Sequence, residues 1–166
     1  PDEVLSKIYF KVVLGKKLNL KNPKTFNDKM QWLKLYYYPF NSTVVKCADK
    51  YAVRKYMEEK GYAKLLVPLI GYWDNADKID WDKLPEKFVM KCNHGCAYNI
   101  LCNDKRNFDT KKATYQLNKW MKEDFGAFNI ENHYSKIKPH MITCEQFLGD
   151  NITDYKFFCF NGKPEF

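Results

Sequence analysis

The spacing of apolar positions along the chain predicts four helices, at residues 1–15, 25–38, 42–61 and 109–126. Gly15 and Gly61 suit the left-handed residue that commonly follows a helix. Thr25 suits the N-cap of the second helix, and Asp109 or Thr110 suits that of the fourth. The first half of the chain is therefore expected to be mainly helical.

Strand patterns follow the third predicted helix. They occupy residues 64–73, where Pro68 interrupts the pattern, residues 87–102 as a strand–turn–strand unit, residues 140–147, and residues 154–160. Asn161-Gly162 after the last segment is a strong hairpin signal, and a return strand at the end of the sequence predicts that the natural protein continues. Strands mixed with helices around a hairpin favour an α+β fold over a regular βαβ series.

The composition indicates a hydrophobic core and a net positive charge. The chain has 166 residues, 45% of them hydrophobic and 17% aromatic, which suits one domain or a lobed fragment of a larger protein. The formal charge of +8 favours an anionic partner: a nucleotide, a nucleic acid, an acidic polymer or an anionic membrane surface. A charged N-terminus without a secretory pattern predicts a cytoplasmic protein or a shortened chain.

The chain has six cysteines, which are candidates for metal binding or thiol chemistry. They lie at positions 47, 92, 96, 102, 144 and 159. A structural zinc site normally has two paired ligand spacings, and only Cys92 to Cys96 has one, so we expect neither zinc nor disulfides. A nucleophilic Cys96 would need a base such as His94 in a special turn geometry. Most of the thiols are expected in the core.

The segment KFVMKCNHGCAYNILC, residues 87–102, also suits an anion. Lys91 shares a strand face with Val89, opposite Phe88, Met90 and Cys92. The small-residue turn after it can present backbone N–H groups to phosphate oxygens, although one glycine is weak evidence and an exposed lysine is the alternative. Lys50 and Arg54, four residues apart, would project from one helix face, or Arg54 would pair with Glu58. Glu145 lies where a strand leaves toward a loop, or is simply a surface glutamate.

Several blocks occur in an order that resembles the ATP-grasp superfamily, and within it the TupA-like branch of polysaccharide-biosynthesis proteins. They are KTFNDKMQWLKLY, CADKYAVRKYMEEKG, LPEKFVMKCNHGCAYNI, CEQFLGD and DYKFFCFNGKP. The resemblance implies an ATP-grasp-like N-terminal portion. Its parts would be a helical segment (1–65), a small lobe with a phosphate-covering loop (66–143), and the hinge with the start of the second lobe (144–166).

The resemblance also implies ATP-binding roles. Lys50 matches a helix lysine that reaches the phosphates, and Lys91 matches the strand lysine before the mobile loop. The loop itself matches Asn93, His94, Gly95, Cys96, Ala97, Tyr98 and Asn99. The adenine-binding hinge matches Glu145, Gln146, Phe147 and Leu148, and Lys156 would face the cleft.

This sequence departs from the family pattern in two places. The loop usually carries serine and a second small residue, whereas here it has one glycine, Gly95, which is expected to stiffen loop closure. Magnesium is held by acidic residues on later strands in such enzymes, so Mg²⁺ is expected only in the full-length protein, with no ligand in this chain. The chain alone would then bind nucleotide weakly without catalysis.

The resemblance implies a carboxylate–amine ligase that works through an acyl phosphate in capsular or cell-surface polysaccharide biosynthesis. Two alternatives stay open: a glycosyltransferase that uses a nucleotide sugar, and a non-catalytic nucleotide-binding fragment. The implied partners are a nucleotide, a polysaccharide or sugar-acid acceptor, and peripherally the assembly machinery of the inner membrane. Nucleic acid is not expected, because the basic residues are scattered and form no recognition motif.

Overall fold

A computed structural model describes residues 1–165. Its helices are α1 (Asp2–Leu14), α2 (Phe26–Tyr36), α3 (Ser42–Ala48), α4 (Ala52–Glu59), α5 (Thr110–Lys122), α6 (Phe125–Asn129) and α7 (Asn132–Ser135). Its strands are β1 (Leu69–Trp73), β2 (Phe88–Cys92), β3 (Asn99–Cys102), β4 (Ile142–Gln146), β5 (Cys159–Phe160) and β6 (Lys163–Pro164). The predicted α+β class is confirmed.

The four longer strands form one antiparallel sheet in the order β1-β4-β2-β3, and β5 and β6 form a separate hairpin. Strand β4 comes from late in the chain, yet it lies at the centre of the sheet between β1 and β2. In the register of β2 and β4, Lys91 is opposite Thr143, and Val89 is opposite Glu145. The sheet thus brings residues about fifty positions apart onto one face.

One face of the sheet carries the core. Phe88, Met90 and Cys92 alternate toward this face of β2 and are fully buried, as their spacing predicts. Helix α5 covers them with its apolar stripe, in which Leu117 is fully buried. The opposite side of the sheet carries Tyr72, Val89, Lys91, Leu101 and Glu145, and we call it the open face.

The helix ends follow the sequence closely in the first two helices. Gly15 has φ 66° after α1, as expected of a left-handed C-terminal residue. The Thr25 hydroxyl accepts from the backbone N–H of Asp28, whose carboxylate accepts from the N–H of Thr25, so the two form a capping box.

The single helix predicted over residues 42–61 was wrong: it is broken into α3 and α4. Asp49 has an extended backbone, and its carboxylate accepts from the N–H groups of Tyr51 and Ala52. An aspartate that satisfies the first donors of a new helix competes with continuation of the old one. Lys50 therefore lies between the two helices, whereas Arg54 lies on α4.

Other elements differ from the predictions in extent. Strand β1 begins only after Pro68, and β4 is shorter at both ends than residues 140–147. The predicted strand over 154–160 is reduced to β5, although the Asn161-Gly162 hairpin forms. The short helices α6 and α7, which the sequence did not indicate, pack together, and α7 contacts α3. The division at residues 65 and 143 stays a prediction.

Candidate phosphate-binding face

Glu145 is the centre of the open face. Its side chain is only 9% exposed, and its two oxygens bind different cations. The Lys91 ammonium donates to Oε2 at 2.6 Å, and the Arg54 guanidinium donates to Oε1 at 3.2 Å and to the carbonyl of Val67 at 2.6 Å. Glu145 is thus neither a surface glutamate nor unpaired, and Arg54 pairs with it rather than with Glu58.

Lys50 approaches the same region from the turn before α4. Its ammonium donates to the carbonyl of Gly95, and its backbone N–H donates to the carbonyl of Asn93 at 3.3 Å. Burial lowers the pKa of Lys50, the nearby Cys96 acts in the opposite direction, and the positive charge of Lys91 lowers it further. Two lysines from distant segments therefore lie close enough to repel each other.

A buried network fixes the start of the turn after β2. The Asn93 amide donates to the carboxylate of Asp49 at 3.0 Å and to the carbonyl of Pro139 at 3.2 Å, and its oxygen accepts from the N–H of Met141 at 2.8 Å. Asn93 is fully buried. The network ties the turn to both the α3–α4 connection and the start of β4, so Lys50 and Lys91 are held relative to each other.

His94 is buried and faces the core side. Its Nε2 lies 2.9 Å from the carbonyl of Trp120, which requires an N–H donor there, and its ring stacks on His140 with 3.5 Å between centroids. Burial, and secondarily the neighbouring His140, lowers the pKa of His94 to about 4. The exposed Cys96 instead has its sulfur 3.2 Å from the Tyr134 hydroxyl. The described contacts therefore give Cys96 no histidine base, which disfavours the nucleophile interpretation.

The remaining turn residues form a tip with a packed base. Gly95 is buried, and a Cβ there would lie 2.7 Å from the Tyr98 ring. That ring stacks on Trp120, and its hydroxyl donates to Glu123 at 2.5 Å. Ala97 has φ 59° and is exposed, and so are Cys96 and Asn99. The glycine is thus required by close packing rather than by a left-handed backbone, and only the tip faces solvent.

At the hinge, the backbone carbonyl of Gln146 lacks the hydrogen bond that the opposite strand residue would normally donate to it. The N–H of Gln146 donates to the carbonyl of Pro68 at 3.0 Å. In such an antiparallel pair the opposite residue would return a hydrogen bond to the Gln146 carbonyl, but proline has no N–H. Leu148 is exposed, and the Lys87 ammonium lies 5.6 Å from the centre of the Phe147 ring.

A cavity of about 540 Å³ lies beside the ion pairs, at α4 and the start of β1. Arg54, Tyr51 and Leu69 are among its lining residues, and Leu69 is opposite Glu145 in the sheet. The cavity lining contains neither Lys91 nor the turn residues. Lys156, expected at the cleft, is exposed in the irregular segment before β5.

The six cysteines are free thiols. Cys92, Cys102 and Cys144 are buried, and burial raises the pKa of Cys92 and of Cys144 to about 12. Three others are exposed, at positions 47, 96 and 159, so the prediction of mostly core thiols holds for the sheet cysteines only. Within residues 1–165 no cluster of three or more histidine, cysteine or carboxylate side chains could hold a metal, so we assign Mg²⁺ to no described residue.

One contributor to this face, Asp49, was missed in the sequence, and the ion pairs of another, Glu145, were not predicted. Asp49 organises both α4 and Asn93, and its signal was an aspartate three residues before the first residue of a helix. Glu145 was noted for its position, but its role as the partner of two cations had no local signal, because Arg54 and Lys91 lie 91 and 54 residues away.

Comparison with known proteins gives one result. The family described as TupA-like ATPgrasp matches residues 28–166. No curated protein and no solved structure matches the chain at a significant level.

Proposed function

Because the chain belongs to the TupA-like ATP-grasp family, we propose that the open face of its sheet binds ATP. The observation that carries this proposal is the placement of two lysines beside the turn after β2: Lys50 binds the Gly95 carbonyl in the turn, and Lys91 is in the strand that leads into it. With Arg54 there are three cations, and Asp49 and Glu145 supply two negative charges, so one positive charge stays uncompensated. A phosphate group at the turn tip would neutralise it and relieve the repulsion between the lysines.

The adenine would bind at the hinge. The Gln146 carbonyl, to which Pro68 cannot donate, suits the exocyclic amine of adenine, and the backbone N–H of the exposed residue Leu148 would donate to a ring nitrogen. Gln146 is opposite Phe88, three residues from Lys91 along β2, which corresponds to about 10 Å. This separation suits a nucleotide extended along the strand, with its phosphates at the lysines.

We further propose that the full-length protein is a carboxylate–amine ligase of cell-surface polysaccharide assembly. Its acceptor carboxylate would take the γ-phosphoryl group of ATP and release ADP, and an amine would then displace phosphate from the acyl phosphate. The described chain is expected to bind nucleotide weakly and to catalyse nothing alone. A glycosyltransferase that holds the diphosphate of a nucleotide sugar on the same cations is the alternative.

Calorimetric titration of ATP and adenosine into the wild type and two variants tests the binding proposal. Lys91→Met should weaken ATP binding by about 10- to 150-fold, which is the loss of affinity expected when one charge-assisted hydrogen bond is removed. It should leave adenosine binding nearly unchanged. Lys111→Met is the matched control, because Lys111 is exposed on α5, on the other side of the sheet. Equal losses for both ligands would contradict a phosphate contact by Lys91.

Two further arms separate the candidate functions. If the wild type binds neither ATP nor adenosine, with and without Mg²⁺, the nucleotide proposal is wrong for this chain. If UDP- or CMP-sugars bind more tightly than ATP, and their binding depends on Lys91, the glycosyltransferase alternative replaces the ligase.

A further inference from the structure

Helix α1 is apolar on two opposite sides. Its inner side contains Phe10, which packs with Leu18 and Leu20 and is 7% exposed. Val4, Ile8 and Val12 are four residues apart and therefore form a stripe along the helix. At about 100° per residue, this stripe points away from Phe10, and its side chains are 48%, 52% and 76% exposed. We call these three residues, with the neighbouring Leu5, the outer stripe.

Lysines border the outer stripe. Lys7 and Lys11 lie along one edge of it on the same helix. Lys7 also lines a depression of about 790 Å³ together with Lys17 and Lys21. The same depression is lined by Glu3, Leu18, Asn19, Leu20, Trp32 and Tyr36. Residues 1–24 contain six lysines, all exposed, and two acidic residues.

We propose that the outer stripe and the lysines beside it dock the protein on an anionic lipid bilayer, with α1 lying in the plane of the interface. The stripe would enter the boundary between headgroups and acyl chains, and Lys7, Lys17 and Lys21 would contact lipid phosphates. For a helix that lies in the interface, the burial of apolar side chains and the attraction of lysines to anionic lipids both strengthen binding. Trp32 at the edge of the depression suits the same interface.

Charge favours a bilayer over a second copy of the chain. Pairing two outer stripes about a two-fold axis would bring the lysine borders of both copies together, and like charges at an interface cost affinity. An anionic surface instead matches the lysines. No helix of residues 1–165 is long and apolar enough to cross a membrane. Helix α1 has 13 residues, fewer than the roughly 20 that a spanning helix needs, and its attachment would be parallel to the surface. The outer stripe and its lysines lie before residue 28, where the family match begins, and of the proposed contacts only Trp32 lies within the match. The proposal does not depend on the nucleotide proposal.

Vesicle co-sedimentation tests the proposal with the whole chain. The wild type should bind vesicles of phosphatidylcholine with phosphatidylglycerol, and bind pure phosphatidylcholine far more weakly. Lys17→Gln with Lys21→Gln should weaken binding about 25-fold, since each lysine near an anionic surface contributes roughly fivefold. Val12→Asp should weaken it at least about tenfold by placing a charge in the stripe. Raising the salt concentration should also release the protein.

The controls use helix α5, away from the surface. Lys111→Gln with Lys112→Gln removes two exposed charges, and Tyr115→Asp places a charge at a site 72% exposed. Both should bind like the wild type, and circular dichroism should show every variant folded. The proposal fails if the wild type does not bind anionic vesicles, if neutral vesicles bind equally, or if Val12→Asp binds normally. Sedimentation velocity that shows a dimer abolished by Val12→Asp would assign the stripe to a second copy instead.

Discussion

Separating Lys91 from Glu145 tests whether the ion pair on the open face contributes to folding. The Lys91 Nζ and the Glu145 Oε2 lie 2.6 Å apart, and the Glu145 side chain is 9% exposed. A charge-assisted hydrogen bond contributes about 1.5–3 kcal/mol. Because the Lys91 side chain is 30% exposed, solvent screening should reduce this to about 1–2 kcal/mol. The ion pair between Glu145 and Arg54 persists when Lys91 is replaced, so the buried Glu145 carboxylate still has a cationic partner.

A double-mutant cycle measures this coupling. Lys91→Met, Glu145→Gln and the double variant are unfolded in urea, and the interaction energy is taken from the three changes in unfolding free energy. We expect a coupling of about 1–2 kcal/mol. Arg54→Met should destabilise more, by about 2–4 kcal/mol, because it removes bonds to both Glu145 and the carbonyl of Val67.

The control cycle uses a pair of similar length at the surface. Lys83 and Asp80 lie 2.8 Å apart, but their side chains are 84% and 50% exposed. Their coupling should be no more than about 0.5 kcal/mol. If Lys91 and Glu145 couple no more strongly than this control, burial does not strengthen the pair, and the reasoning that places Glu145 at the centre of the face is refuted.

Two further predictions concern the turn. Gly95→Ala should destabilise the fold by about 1–3 kcal/mol in thermal unfolding, because the new Cβ meets a Tyr98 ring fixed on Trp120; an unchanged melting temperature would contradict this packing. Because the pKa of His94 is lower in the folded protein than in the unfolded chain, the unfolded chain protonates His94 at a higher pH. Stability should therefore be full above pH 6.5 and fall toward pH 4 by at most about 1.4 kcal/mol per pH unit. His94→Gln should reduce that slope and leave the part due to His133, whose pKa burial also lowers.

The sequence predicted what local patterns determine. The alternation of Phe88, Met90 and Cys92 identified the buried face of β2, and thereby placed Lys91 on the other face. What it could not predict depends on distant partners. The helix break at Asp49 is stabilised partly by Asn93, and the burial of Glu145 needs cations from other elements. No pattern within a short window reports such contacts.

The ion pair also sets how much Lys91 can contribute to ATP binding. Glu145 holds the Lys91 side chain in one position, which removes part of the roughly 2 kcal/mol of conformational entropy that a free lysine would lose on binding phosphate. A phosphate must nevertheless compete with Glu145 for the same ammonium, and Arg54 keeps that carboxylate in place. The competing pair is estimated at about 1–2 kcal/mol, which nearly offsets the entropic advantage. The loss of ATP affinity in Lys91→Met should therefore lie near the tenfold end of the expected range. Among the described contacts, the Lys50 ammonium binds no carboxylate, so Lys50 should contribute at least as much to ATP binding.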